Sequence, residues 1–314
     1  MSQTLYRGTD CQSVWPFTDR FASPPTALDL STLAVSALID EAELTPKPAL
    51  VDRRSNGAHY DLDLARLRRS ALALQDGFAA IARATSGEEP SLPLRERLGR
   101  IGREMERRML ATTDGSNAHR GVIWALGLLV AAAAQRRSES HPASIAATAA
   151  ALARLPDRFV PRPLSNGERA RLRFGATGAR GEAQAGFPHA ILIGLPTLRA
   201  ARGRGISEDC ARLDALMSIM ASLDDTCLLH RGGRAALQAA KTGAWAVLAA
   251  GGTAAVAGLE RLHRLHADLM ALWASPGGSA DLLAVTVFLD RLERGSHPST
   301  AQQGSFHGNA ELRV

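Results

Sequence analysis

Gly121-Val-Ile-Trp-Ala-Leu-Gly-Leu-Leu-Val-Ala-Ala-Ala-Ala134 is the stretch on which the fold turns. It runs without a charge, yet it falls short of the roughly 20 apolar residues that a bilayer span needs. The remaining reading is a central helix buried on all sides within a helical bundle. A second apolar stretch, Ala244 to Leu259, is also too short to cross a membrane and carries Gly251-Gly252 midway. It too reads as a central helix. No membrane association is expected.

The segments around these two share the helical period. Thr26 can cap a helix whose inner face is Leu30, Leu33, Ala34, Ala37 and Leu38. Leu64, Leu67, Ala71, Leu74, Phe78 and Ile81 form a second stripe, and further helices are expected near 92–113, 117–135, 142–154, 207–222, 231–250, 253–273 and 279–293. Only Ala190-Ile-Leu-Ile193 hints at a strand. Aromatics make up 4 % of the 314 residues, and Ala and Leu fill the periodic positions, which favours helix over strand. The expectation is all-α: a single multi-helix globular domain over 26–294, with 1–25 and 295–314 disordered. Trp124, Trp245 and Trp273 are expected in the core.

A net charge of +6 points weakly to an anionic partner such as phosphate. No basic patch interleaved with aromatics argues for nucleic acid. Cys11, Cys210 and Cys227 lack metal-site spacing, and residues 1–25 lack a basic stretch followed by an apolar one. Both features fit a cytoplasmic protein with free thiols.

Polar residues gather in a few places. Leu44-Thr-Pro-Lys-Pro-Ala-Leu-Val-Asp-Arg-Arg-Ser-Asn-Gly-Ala-His-Tyr-Asp-Leu-Asp63 holds Lys47, Asp52, Asn56, His59 and Asp61, more mixed charge than a connecting loop requires. Extending apolar stripes backwards puts Asp61, Asp224 and Asp281 at the ends of three buried helix faces. Buried acids need partners, and three converging carboxylates suit Mg²⁺. Gly115-Ser-Asn-Ala-His-Arg-Gly121 opens the apolar helix, so Asn117, His119 and Arg120 form a candidate anion site or a simple cap. Glycine-rich turns at 175–182, 230–233 and 275–281 offer Gly178, Arg180, Gly181, Arg231, Gly232, Gly277, Gly278 and Ser279 to phosphate. They match neither a P-loop nor a dinucleotide fingerprint.

The chain resembles the triphosphoribosyl-dephospho-CoA synthase family over roughly residues 28–293. The likeness rests on the 44–63 segment, Asn117 to Leu129, Thr177-Gly-Ala-Arg-Gly-Glu-Ala183 with Gly186-Phe-Pro188, Asp224-Asp-Thr226, His230-Arg-Gly-Gly233 and Pro276-Gly-Gly-Ser-Ala-Asp281. Ala49 departs from the family's usual Gly, which questions the tight turn there. The resemblance implies an all-helical enzyme that moves the triphosphoribosyl group of ATP to the 2′-hydroxyl of 3′-dephospho-CoA and releases adenine. The product feeds an acyl-carrier prosthetic group, with possible contact to the downstream holo-carrier transferase. Asn117-Ala-His-Arg-Gly121, Gly186-Phe-Pro-His189 and Leu223 to Leu229 look more like the malonate decarboxylase branch than the citrate lyase branch. Within that chemistry, Asp61, Asp224 and Asp281 are expected to hold Mg²⁺, with Lys47, His119, Arg120 and Arg180 on the triphosphate. Asp225 or Glu182 is the expected base, and His59 or His230 the acid for adenine. A Mg²⁺-dependent helical hydrolase of nucleotides or ADP-ribose would use similar groups.

Overall fold

A computed structural model describes residues 24–136, 141–160 and 166–295. The disorder expected for the two ends therefore lies outside the described residues, apart from its inner margins. Every regular element among them is helical.

Thr26 and Asp29 close a reciprocal capping box on α1 (Ala27–Glu43), and the expected stripe from Leu30 to Leu38 is buried. The single helix expected from Leu64 to Ile81 is two, α2 (Leu64–Ala73) and α3 (Gln75–Thr85), joined at a buried Leu74. Next come α4 (Leu92–Thr112), α5 (Arg120–Gln135) and α6 (Pro142–Arg154). Two short helices that the sequence pattern did not signal, α7 (Asn166–Phe174) and α8 (Gly178–Gln184), precede a π-helix at His189–Gly194. The strand hint at Ala190–Ile193 is thus corrected. That segment is a widened helical turn, where a side chain at Gly194 would collide with Thr286. The chain continues through α9 (Leu195–Gly203), α10 (Glu208–Ser222), α11 (Thr226–Ala249), α12 (Val256–Ala271) and α13 (Gly277–Arg294).

One large apolar cluster joins these helices, with α5 and α13 at its centre. Leu126, Leu129 and Val130 of α5, and Leu283, Val285, Phe288 and Leu289 of α13, are fully enclosed. Each such side chain contributes about 1.5–3 kcal/mol on leaving water. The second apolar stretch is different. Ala244–Leu259 comprises the end of α11, a turn at Gly251-Gly252 with φ of 98° and 75°, and the start of α12. Trp245, Val256 and Leu259 face solvent there, and Trp273 is 47 % exposed rather than core. The turn takes the chain out of the interior before a buried helix can form.

The 44–63 segment folds back on itself between α1 and α2. Ala58 donates its N–H to the carbonyl of Ala49 at 3.0 Å, and the Asp52 carboxylate accepts from the backbone of Lys47, Arg54 and Ser55. Ala49 adopts φ of 54°. The tight turn is made despite the methyl group, at a cost of about 1–2 kcal/mol. Gly57 also has positive φ, and any side chain on it would collide with the Ala49 carbonyl. Gly57→Ala is expected to lower stability by at least about 2 kcal/mol, read as a fall in the urea midpoint with an unchanged slope.

Candidate active site

The N-termini of α11 and α13 are held together by one side chain. Asp225, 1 % exposed, caps α11 through the N–H of Cys227 at 2.8 Å. The same carboxylate accepts from the N–H groups of Gly278 (3.3 Å) and Ser279 (2.8 Å), and from the Ser279 hydroxyl at 2.9 Å. Burial pushes its carboxyl up, against the downward pull of these donors. Four donors fill the acceptor capacity of a carboxylate. Asp225 is therefore a clamp rather than a free base. The amides of Gly278 and Ser279 face Asp225 rather than a phosphate, while that of Gly277 turns to the Ser275 carbonyl.

One turn further along α13, Asp281 lies against the first turn of α5, where a side chain at Gly121 would run into its carboxylate. No hydrogen bond to Asp281 is formed by the described residues. Burial and the charges of Glu41 and Asp225 push its carboxyl well above the usual range. Cys227 rises too, chiefly through burial and then the charges of Asp225 and Asp281. Glu41 belongs to the site, although the sequence reading passed over it. It accepts from Lys47 Nζ at 2.6 Å, and Lys47 also reaches the Glu41 carbonyl at 2.5 Å. Lys47 is 1 % exposed, so its charge sits beneath the site rather than in it.

His119 lies near that charge. Its Nδ1 meets the Ser70 hydroxyl at 2.7 Å, while Nε2 is buried without a partner. Burial, then Lys47, lowers its pKa to about 4. His59 is also lowered to about 4, by burial and then Arg231. Its Nε2 meets the Ser275 hydroxyl at 3.0 Å, and its Nδ1 lies 3.2 Å from Arg231 and 3.6 Å from Asp61. Arg231 further donates to the Ala58 carbonyl at 3.0 Å. His230 is exposed and likewise lowered, by burial and then Arg231. Burial and the Arg231 charge thus disfavour the protonated form of both histidines. His59 instead ties the 44–63 loop to the α12–α13 junction.

Around α8, Gly178 has φ of 62° and packs on Thr226, the first residue of α11. The Glu182 carboxylate accepts from the N–H and Nδ1 of His189, at 2.9 and 2.8 Å. Glu182 is thus occupied by His189. Gly181 donates its N–H to Thr177 within the turn, and Gly232 packs beside Leu272 and Ala274 in the α11 kink centred on Gly233.

The expected metal trio does not assemble. Asp224 is turned outward and paired with Lys241 at 2.6 Å, and Asp61 faces His59. Among the described residues, no group of three His, Cys, Asp or Glu side chains is placed to hold an ion. Asp224 leaves the face of α10 because that helix ends at Ser222, two residues before it. Asn117 caps Arg120 at 3.1 Å, Arg120 pairs with Glu106 at 3.2 Å, and Asn56 is exposed. Extending the α1 stripe forwards from Ala37 and Leu38 would have found Glu41.

Asp225→Asn would set an amide against backbone N–H donors and is expected to cost about 2–3 kcal/mol in chemical denaturation. His119, folded, refuses a proton that the unfolded chain accepts between pH 6.5 and about 4. Stability should therefore fall as pH drops through that window, by up to about 3 kcal/mol. His119→Gln should flatten this part of the pH–stability curve.

The sequence model of the ATP:dephospho-CoA triphosphoribosyl transferase family matches residues 27–300. The chain is 57 % identical over 274 residues to a probable 2-(5″-triphosphoribosyl)-3′-dephosphocoenzyme-A synthase of Pseudomonas fluorescens, covering 87 % of this chain and 94 % of the relative. It is 56 % identical over 263 residues to the 2-(5″-triphosphoribosyl)-3′-dephosphocoenzyme-A synthase of Klebsiella pneumoniae, covering 84 % and 94 %. No solved structure matches. A family match over nearly the whole described chain, with relatives more than half identical over more than four fifths of both chains, places the protein in the ATP:dephospho-CoA triphosphoribosyl transferase family.

Proposed function

We propose that this protein transfers the 5-triphosphoribosyl group of ATP to the 2′-hydroxyl of 3′-dephospho-CoA, releasing adenine, in the cytoplasm, and that the product serves the acyl-carrier subunit of malonate decarboxylase. The branch follows Asn117-Ala-His-Arg-Gly121, Gly186-Phe-Pro-His189 and Leu223 to Leu229. The finished group then passes to a holo-carrier transferase. Mg²⁺ enters as the counter-ion of ATP, bound to its phosphates as part of the substrate.

The observation that carries the mechanism is Asp281: a half-buried carboxylate without a hydrogen-bond partner, at the start of α5, with Glu41 and Asp225 beside it. It is the site carboxylate left free to accept a proton. Asp281 takes the proton of the attacking 2′-hydroxyl. The oxygen bonds to ribose C1′ as the C1′–N9 bond breaks, and the electron pair leaves with adenine, which takes a proton from water while Asp281 later returns its own to solvent. Direct displacement inverts C1′ and requires base and departing adenine on opposite faces of the ribose. The clamp at Asp225 and the strut at His59, which hold the starts of α11 and α13 and the 44–63 loop in fixed relation, support such an alignment.

Purified protein with MgATP and 3′-dephospho-CoA should release free adenine, and omitting dephospho-CoA should abolish the release. Adenine or ribose release to water alone would instead indicate a hydrolase. Asp281→Asn should lower kcat by about 10²–10⁴ with KM values changed far less. Unaltered kcat would remove Asp281 from the role.

A further inference from the structure

Arg95 and Arg103 project from one face of α4, with Gly99 between them at four-residue spacing. The absence of a side chain at Gly99 leaves room for Asp157, whose carboxylate lies 2.7 Å from Arg103 and 3.6 Å from Arg95. The Arg95 guanidinium stacks 4.8 Å from the ring centre of Trp124 in α5. Arg180 of α8 stands close enough for its charge to depress the pKa of Arg95. One carboxylate thus serves both α4 guanidinium groups, with a third guanidinium nearby. The neighbouring acids are already engaged, Glu96 with Arg158 and Glu106 with Arg120. Among the described residues no carboxylate pairs with Arg180. Arg95 is 5 % exposed, and its Nε is buried without a hydrogen bond, as is Nε1 of Trp124.

Like charges held together out of water are costly unless something offsets them. Guanidinium forks match phosphate oxygens in pairs, so a phosphate chain is the natural complement. The position agrees. Trp124 lies one turn beyond Gly121, which abuts Asp281, and Arg180 lies two residues beyond Gly178, which abuts the start of α11 beside Asp225. The cations elsewhere in the site are already engaged, Lys47 with Glu41 and Arg231 with Ala58 and His59.

We infer that Arg95, Arg103 and Arg180 form a polyphosphate subsite on the wall beside Asp281, gripping the phosphate chain of one of the two nucleotide substrates. The inference builds on the transferase reading, which supplies two such chains: the triphosphate of ATP and the diphosphate of dephospho-CoA. Trp124 stiffens the subsite by holding the Arg95 plane.

The test uses Arg103→Gln and the exposed Arg180→Ala, which spare the buried Arg95. With the other substrate saturating, KM should rise about ten- to hundredfold for either ATP or dephospho-CoA, the worth of a charge-assisted contact to phosphate. Whichever KM rises identifies the bound chain. Calorimetric titration of the intact protein with inorganic triphosphate should weaken in the same variants by a similar factor. KM values and triphosphate affinity all within twofold of the unaltered protein would overturn the subsite. If the unaltered protein releases no adenine, the transferase reading fails, and the triphosphate titration still decides the subsite.

Discussion

The carboxylate of Asp225 is the joint on which this architecture rests. Two helix N-termini carry partial positive charge and unsatisfied N–H groups, and they do not approach each other unaided. Asp225 supplies one negative group to both, capping α11 and bonding the opening amides of α13. Everything functional at these helix starts inherits its position from that joint: Asp281 on α13, and Cys227 and Arg231 on α11. An exposed ion pair could not do this, since solvent competes for its partners.

Charge around the joint is sorted by burial. Lys47 neutralises Glu41 below the site, while His119 and His59 are held neutral and act as hydrogen-bonding struts. What remains is the carboxyl of Asp281, without a hydrogen-bond partner among the described residues, and a surplus of positive charge where Asp157 meets both Arg95 and Arg103. A reaction that removes a proton from a hydroxyl while holding polyanions needs this separation, because a cation pressed against the base would lower its basicity.

Much of the fold was legible because helical periodicity is local. The Thr26 cap, the α1 stripe and the uncharged run of α5 each required only a few neighbouring residues to interpret. The break at Leu74 and the short α7, α8 and π-helix carried no such signal, since their limits are set by packing against distant helices. Site residues divided the same way. Asp281, Lys47 and His119 could be singled out from their own segments, but their partners could not. Whether Gly278 offers its amide to phosphate or to Asp225 depends on a contact spanning 53 positions. Nothing in the α4 segment itself distinguishes Arg95 and Arg103, whose neighbours Asp157 and Trp124 come from distant parts of the chain.

The burial of Lys47 has a practical corollary. Of the 37 basic side chains, two alone are lysines, Lys47 and Lys241. The first is sealed inside and ion-paired, and the second is bound to Asp224 with its side chain 26 % exposed. Guanidinium groups stay protonated and do not acylate under mild conditions. Amine-directed reagents, whether fluorophore esters, bifunctional cross-linkers or enzymatic acetyl donors, therefore meet a single reachable side-chain target at Lys241, within α11.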